Sequence, residues 1–228
     1  MQLSEYSPER LRDDGEFILY RAHAKQKELP SVLLVAPAST RPSPETLKKI
    51  DHEYSLRSEL DSAWAVRPLA LSERGAQTTL VLEDPGGETL DGFLSGAMEM
   101  RQFLGFAIGL ATALGGLHER ELIHKDVKPT NVLVNPATGQ VRLIGFGIAS
   151  LLRREHQAPE PPEFIAGTLP YMAPEQTGRM NRSIDSRSDL YALGVTLYEM
   201  LTGNLPFTAS DPVEWVHCHI ARHPVPPH

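Results

Sequence analysis

Three short, nearly continuous apolar runs stand near the N-terminus, "EFILYRA" (16–22), "SVLLVAP" (31–37) and "TTLVLED" (78–84), each bounded by turn formers. Runs of that length and composition predict β-strands. Between the second and third the period changes. In "SPETLKKIDHEYSLRSEL" (43–60), Leu47, Ile50, Tyr54 and Leu60 recur at roughly helical spacing after Ser43 as N-cap and Pro44 at the first helical position, so one helix interrupts the strands. From about residue 91 onward the apolar positions follow a helical period over 98–120 and 186–203, with "DPVEWVHCHIAR" (211–222) as a third helix. The turn-rich "DPGGETLDG" (84–92) separates the two regimes. It reads as a hinge between a small strand-rich lobe, residues 1–88, and a larger helical lobe, residues 89–228. Two lobes meeting at a hinge form a cleft, a common place for a ligand.

Composition narrows the partners. The 228 residues, 41% of them hydrophobic, can build a folded core. A formal charge of −7 repels nucleic acid and anionic membrane surfaces at long range, so neither is expected as a partner. The longest apolar stretch, "FLGFAIGLATAL" (103–114), has twelve residues including two glycines. That is below the roughly 20 needed to cross a bilayer, so a buried helix is expected and no membrane insertion. The single cysteine, Cys218, cannot form an internal disulfide, and the first residues lack the basic, apolar, small-residue order of a signal peptide. A reducing, cytoplasmic setting is expected.

The candidate chemistry sits in the second half. His124-Lys125-Asp126-Val127-Lys128-Pro129-Thr130-Asn131 is followed by Gly145-Phe146-Gly147, then "GTLPYMAPEQ" (167–176), then "SDLYALGVTLYEMLTGNLPF" (188–207). Taken alone, the first of these could be a capped turn before the strand "VLV". Taken together and in this order, the four stretches resemble the catalytic loop, magnesium-binding turn, activation-segment end and following helix of eukaryotic-type Ser/Thr protein kinases. The resemblance covers nearly the whole chain and implies a two-lobed α+β fold whose helical lobe is incomplete at residue 228. More narrowly, "EQTGRMNRSID" (175–185) and "HCHIARHPVPP" (217–227) resemble the N-terminal kinase-like domain of large bacterial sensor proteins that continue into an ATPase and a histidine kinase.

Phosphoryl transfer in that family is mostly positioning plus neutralisation of developing charge. The resemblance implies ATP and magnesium as cofactors. It implies Asp126 as the group that orients the attacking hydroxyl, Lys128 as a positive charge beside the phosphoryl group, and Thr168 as the hydrogen-bond partner of that pair. Asn131 would be a magnesium ligand, and Glu175 and Asp189 structural anchors.

Several positions depart from the family. Gly145 stands where a metal-binding aspartate is expected, and glycine offers no oxygen ligand to a hard cation. Val35 stands where a strand lysine would meet the phosphates. Its expected partner, Glu53, is then left without a cation and reads as a solvated surface charge; the nearby Lys25, Lys27, Lys48 and Lys49 lie outside that strand. The phosphate-covering turn keeps only Gly15 and places Asp13, Asp14 and Glu16 beside it. With Leu82 at the back of the adenine pocket, Glu83 and Pro85 are the hinge residues that would meet adenine, and Pro85 has no N–H to give. Phe146 and His124 read as packing residues. From Leu151 to Gly167 there is no Ser, Thr or Tyr to phosphorylate, and Arg153 and Arg154 read as a solvated basic face.

Three readings remain open on the residues. The chain is a kinase-like binding or regulatory module acting on a protein partner or on downstream domains of the same polypeptide, or a working but atypical Ser/Thr kinase, or a decayed reading frame. Restoring Gly145→Asp and Val35→Lys together is expected to create nucleotide binding.

Overall fold

The computed structural model describes residues 5–25, 29–74, 77–152, 167–180 and 182–227. The basic pair Arg153 and Arg154, the proline-rich stretch 158–163 and Lys27 lie outside them. Strands β1 (Tyr6–Asp13), β2 (Phe17–Ala24), β3 (Val32–Pro37), β4 (Pro68–Arg74) and β5 (Gln77–Glu83) form one antiparallel sheet in the order β1-β2-β3-β5-β4. The three runs singled out in the sequence are β2, β3 and β5, the interior of this sheet. Its two edges, β1 and β4, are additional. The edge strand β1, "YSPERLRD", is polar and contains Pro8, which an edge tolerates because its outer side needs no ladder partner. The β1–β2 register shifts between Arg10 and Arg12, a bulge at Leu11.

Helix α1 (Pro44–Ser55) crosses the sheet. Ser43 caps it, its hydroxyl accepting from Thr46 N at 3.1 Å, with Pro44 in the first turn, where its missing N–H has no intrahelical partner to lose. A 3-10 turn over Leu56–Ser58 ends it short of the 43–60 span.

The second lobe holds α2 (Met100–Glu119), α3 (Ser186–Thr202) and α4 (Pro212–Ala221), close to the helices expected from the apolar period. Asp185 and Asp211 cap α3 and α4 by accepting from Arg187 N and from Val213 N and Glu214 N. Five short strands frame the cleft: β6 (Glu88–Thr89), β7 (Leu122–Ile123), β8 (Val132–Asn135), β9 (Gln140–Leu143) and β10 (Ser150–Leu151). They pair as β6-β8-β9 and β10-β7; β8 contains the strand "VLV" named in the sequence, and the other four are too short to announce themselves by alternation. Helix α2 is long and apolar enough to cross a membrane by length and composition alone. In the fold it turns Phe106, Leu110, Ala113, Leu114 and Leu117 into the core.

The core has two main parts. One centres on Trp64, the buried face of α2 and Phe146, with Trp64 edge-on to Phe146 at 6.5 Å between ring centres. The other joins the lobes: Leu19, Leu33, Leu80 and Leu82 of the sheet and Ile50 of α1 pack with Leu133 of β8 and Ile144. Lobes sharing a buried apolar cluster resist being pulled apart, because opening returns that surface to water.

Candidate functional site

A cavity of about 110 Å³ lies between the sheet and the loop that links β7 to β8. Asp126, Lys128, Asn131 and Thr168, far apart in sequence, all line it. The Asp126 carboxylate is fully occupied. Its Oδ1 accepts from Thr168 N at 2.9 Å and Thr168 Oγ1 at 2.8 Å, and its Oδ2 accepts from Asn131 Nδ2 at 2.9 Å. Lys128 Nζ stands 2.9 Å from the same Oδ2 and donates to Thr168 Oγ1 at 2.5 Å. Burial alone would push the Asp126 carboxyl up, but Lys128 and the Thr168 hydroxyl outweigh it and hold the group below the ordinary aspartate range. The carboxylate is kept ionised, and a hydroxyl could use it as acceptor only by displacing one of these donors.

Asp189, at the start of α3 and fully buried, supports this loop from beneath. It accepts from His124 N at 2.9 Å, Lys125 N at 2.8 Å and His118 Nε2 at 2.9 Å. These bonds hold Lys125 at a positive φ of 66°, a backbone state that a non-glycine residue rarely adopts unaided. His124 donates from Nε2 to Ile144 O at 3.0 Å and accepts Asp126 N at Nδ1, which fixes a neutral ring; burial lowers its pKa. Phe146 packs against it at 4.7 Å between ring centres.

The residues aligned with cofactor binding sort differently. Val35 does face the cavity, between Leu19 and Leu80 of its neighbouring strands. Glu53 corrects the sequence reading: it is no solvated surface charge but 5% exposed, with Oε1 unpartnered. The helical stripe of α1 that buries Ile50 turns Glu53 inward too, three residues on. Burial pushes its carboxyl up to about 7, opposed by the backbone N–H groups of Phe146 and Gly145 and the charge of Arg12.

Gly15, at φ 85°, shapes the β1–β2 turn, but the turn's amides are spent on its own acids. Gly15 N donates to Asp13 Oδ1 at 2.9 Å, and Glu16 N and Phe17 N donate to Asp14 Oδ1 at 3.0 and 2.7 Å. Glu16 is held at 2.7 Å by Lys49 of α1. Glu83 and Pro85 are not among the cavity's lining residues. The Glu83 carboxylate accepts from Ser62 Oγ and Arg67 N, and Pro85 edges a separate shallow depression. Beside them Arg21 clasps the hinge, donating to both Asp84 oxygens and to Gly87 O.

Two cations in the cavity went unread in the sequence. Lys49 lies outside the strand that carries position 35, and nothing local to "RLRDDG" (10–15) says that the Arg12 side chain turns inward.

A profile of the protein kinase domain family matches residues 20–224. The chain belongs to that family. Among curated relatives, this kinase domain is 35% identical over 150 residues to the serine/threonine-protein kinase PknB of Mycobacterium tuberculosis, covering 65% of this chain and 24% of the relative. It is 33% identical over 183 residues to the serine/threonine-protein kinase pkn2 of Myxococcus xanthus, covering 78% of this chain and 22% of that protein. The chain therefore spans about a quarter of the length of these relatives.

The family implies ATP with magnesium, and the donors for the ion fit poorly in this kinase domain. Asn131 is the expected ligand, yet its Nδ2 donates to Asp126 and its Oδ1 accepts from Arg12 at 3.2 Å. Residue 145 brings no carboxylate. Among the described residues, no group of three or more His, Cys, Asp or Glu could hold a metal ion.

Proposed function

We propose that this kinase domain serves as a binding or regulatory module that has lost most of its phosphoryl transfer, with the lobes divided near residues 88 and 89. The observation that carries the reading is at Gly145. A Cβ there would lie 2.7 Å from Asn131 Oδ1, so an aspartate would fit only if the Asn131 amide moved. Val35 in place of a cation and turn amides committed to Asp13 and Asp14 support it, since a triphosphate needs those donors. ATP and magnesium, the family's cofactors, would then bind weakly or not at all.

The partner in this reading is another protein or a downstream domain of a longer polypeptide, in a cytoplasmic signalling setting without nucleic acid or membrane insertion. The stretches at 175–185 and 217–227, similar to the front domain of large bacterial sensor proteins, support placing it in such a chain.

The second reading is an atypical Ser/Thr kinase that keeps Asp126, Lys128 and Asn131 in service. The intact web around Asp126 and the kinases among its relatives favour it. Titrating ATP against thermal unfolding, with and without magnesium or manganese, separates the two. A ligand at a hundred times its Kd raises stability by about 2.7 kcal/mol. The module reading expects no metal-dependent rise; a rise of several degrees with magnesium would establish the second.

A further inference from the structure

Arg12 begins at the outer edge of the sheet and ends at the catalytic loop. Its Nη1 donates to Thr130 O and, at 3.2 Å, to Asn131 Oδ1, partners more than a hundred positions away. Its Nη2 lies 3.3 Å from Asp14 Oδ2. The side chain is 8% exposed and its Nε is buried without a partner; Arg12 lines the same cavity as Glu53, whose Oε1 is also unpartnered.

The bulge explains how a charged residue beside an apolar one comes to point inward. In a regular strand neighbours face opposite sides; an extra residue lets consecutive side chains turn the same way. Leu11 packs on the apolar cluster between the lobes, and Arg12 follows it into the cleft, while Arg10 stays in solvent with Asp13.

We propose that Arg12 is the resident cation of this cleft: its guanidinium straps the first strand to the catalytic loop and occupies the Asn131 oxygen that a divalent ion would otherwise take. This rests on the reading of the cleft as one that works without a metal-bound nucleotide. A guanidinium suits the place. It carries a fixed charge and five donors in a planar fork, so one side chain can meet a carbonyl, an amide oxygen and a carboxylate together. Its charge also offsets the ionised form of buried Glu53, as the strand lysine would have done from position 35. The lobes are thereby tied by the protein's own cation, and the closed cleft needs no ligand to hold it.

The test is amide hydrogen exchange in the unliganded protein. Arg12→Ala is expected to speed exchange over residues 127–134 at least tenfold, and Arg12→Gln, which keeps a donor but no charge, by less. Arg10→Ala, removing a solvent-exposed arginine of the same strand, is expected to change nothing there. Should Arg12→Ala not fold, Arg12→Gln and Arg12→Lys decide. Exchange over 127–134 as slow in the folded Arg12 variants as in Arg10→Ala overturns the strap. Magnesium-dependent stabilisation of the wild-type protein by ATP would instead overturn the module reading, a separate measurement with a separate outcome.

Discussion

Asn131 and Gly145 share one space: a side chain begun at residue 145, whose φ is 80°, would meet the Asn131 amide at 2.7 Å. Gly145→Asp alone is therefore expected to lose about 1–3 kcal/mol, from the positive φ and the collision, without gaining nucleotide binding. The pair Gly145→Asp and Val35→Lys meets the same obstacle while Arg12 holds Asn131. Magnesium-dependent stabilisation by ATP is expected only when Arg12→Ala is added to the pair. Thermal unfolding of the single, double and triple variants with ATP and magnesium checks this; binding by the single or the double variant would contradict it.

Glu53 couples the cleft to pH. Its carboxyl is raised from 4.5 to about 7 in the fold, so between those values the native state holds more protons than the unfolded chain. Its contribution is fully present below 4.5 and is lost as pH rises through 7. Glu53→Gln, which keeps the shape without the charge, is expected to flatten that slope and to raise stability at pH 8 by about 1–3 kcal/mol. Urea unfolding at pH 5 and pH 8 gives the comparison; a variant less stable than wild type at pH 8 would mean that the charge is better paired than its surroundings indicate.

His219 acts in the opposite direction. On α4 it donates from Nε2 to Leu169 O at 2.7 Å and accepts the Tyr191 hydroxyl at Nδ1, also at 2.7 Å, among Trp215 and Phe207. With the ring neutral both nitrogens are satisfied, and burial lowers its pKa. A depressed pKa contributes stability above the ordinary value of 6.5 and loses it as pH falls below. His219→Gln is expected to cost about 1–3 kcal/mol at pH 8 and less at pH 5.5, measured by urea unfolding at both. An equal cost at the two values would remove His219 from the pH response.

Asp189 bears the loop between β7 and β8, and its loss should be large. Asp189→Ala strands the amides of His124 and Lys125 in a buried place and releases the positive φ of Lys125. A loss of about 3–5 kcal/mol is expected, against about 1 kcal/mol or less for the half-buried pair broken by Lys49→Ala. Denaturant midpoints of the two variants check the ratio. Similar losses would mean that the loop is held chiefly by packing.

Much of this arrangement was legible in the residues. β2, β3 and β5 show as short apolar runs because they form the sheet's interior, and Ser43-Pro44 announces α1 through chemistry local to four residues. Asp126, Lys128 and Thr168 could be grouped by resemblance, and the fold brings them within hydrogen-bond reach. Strand β1 escaped because an edge strand need not be apolar, and Glu53 was misjudged because burial of a carboxylate follows from which face of α1 meets the sheet. The acids at 13 and 14 could be placed beside Gly15 from the sequence, but that they take up the turn's own amides depends on the turn's conformation.

The sequence by itself determined the elements, the kinase order of motifs and the absence of a carboxylate at 145 and of a cation at 35, since propensity, caps and missing functional groups are local properties. Only the tertiary structure decided what fills those gaps. Arg12 reaches Asn131 through a bulge and across more than a hundred residues of chain, and such contacts depend on register and on the approach of two lobes, which no local stretch encodes.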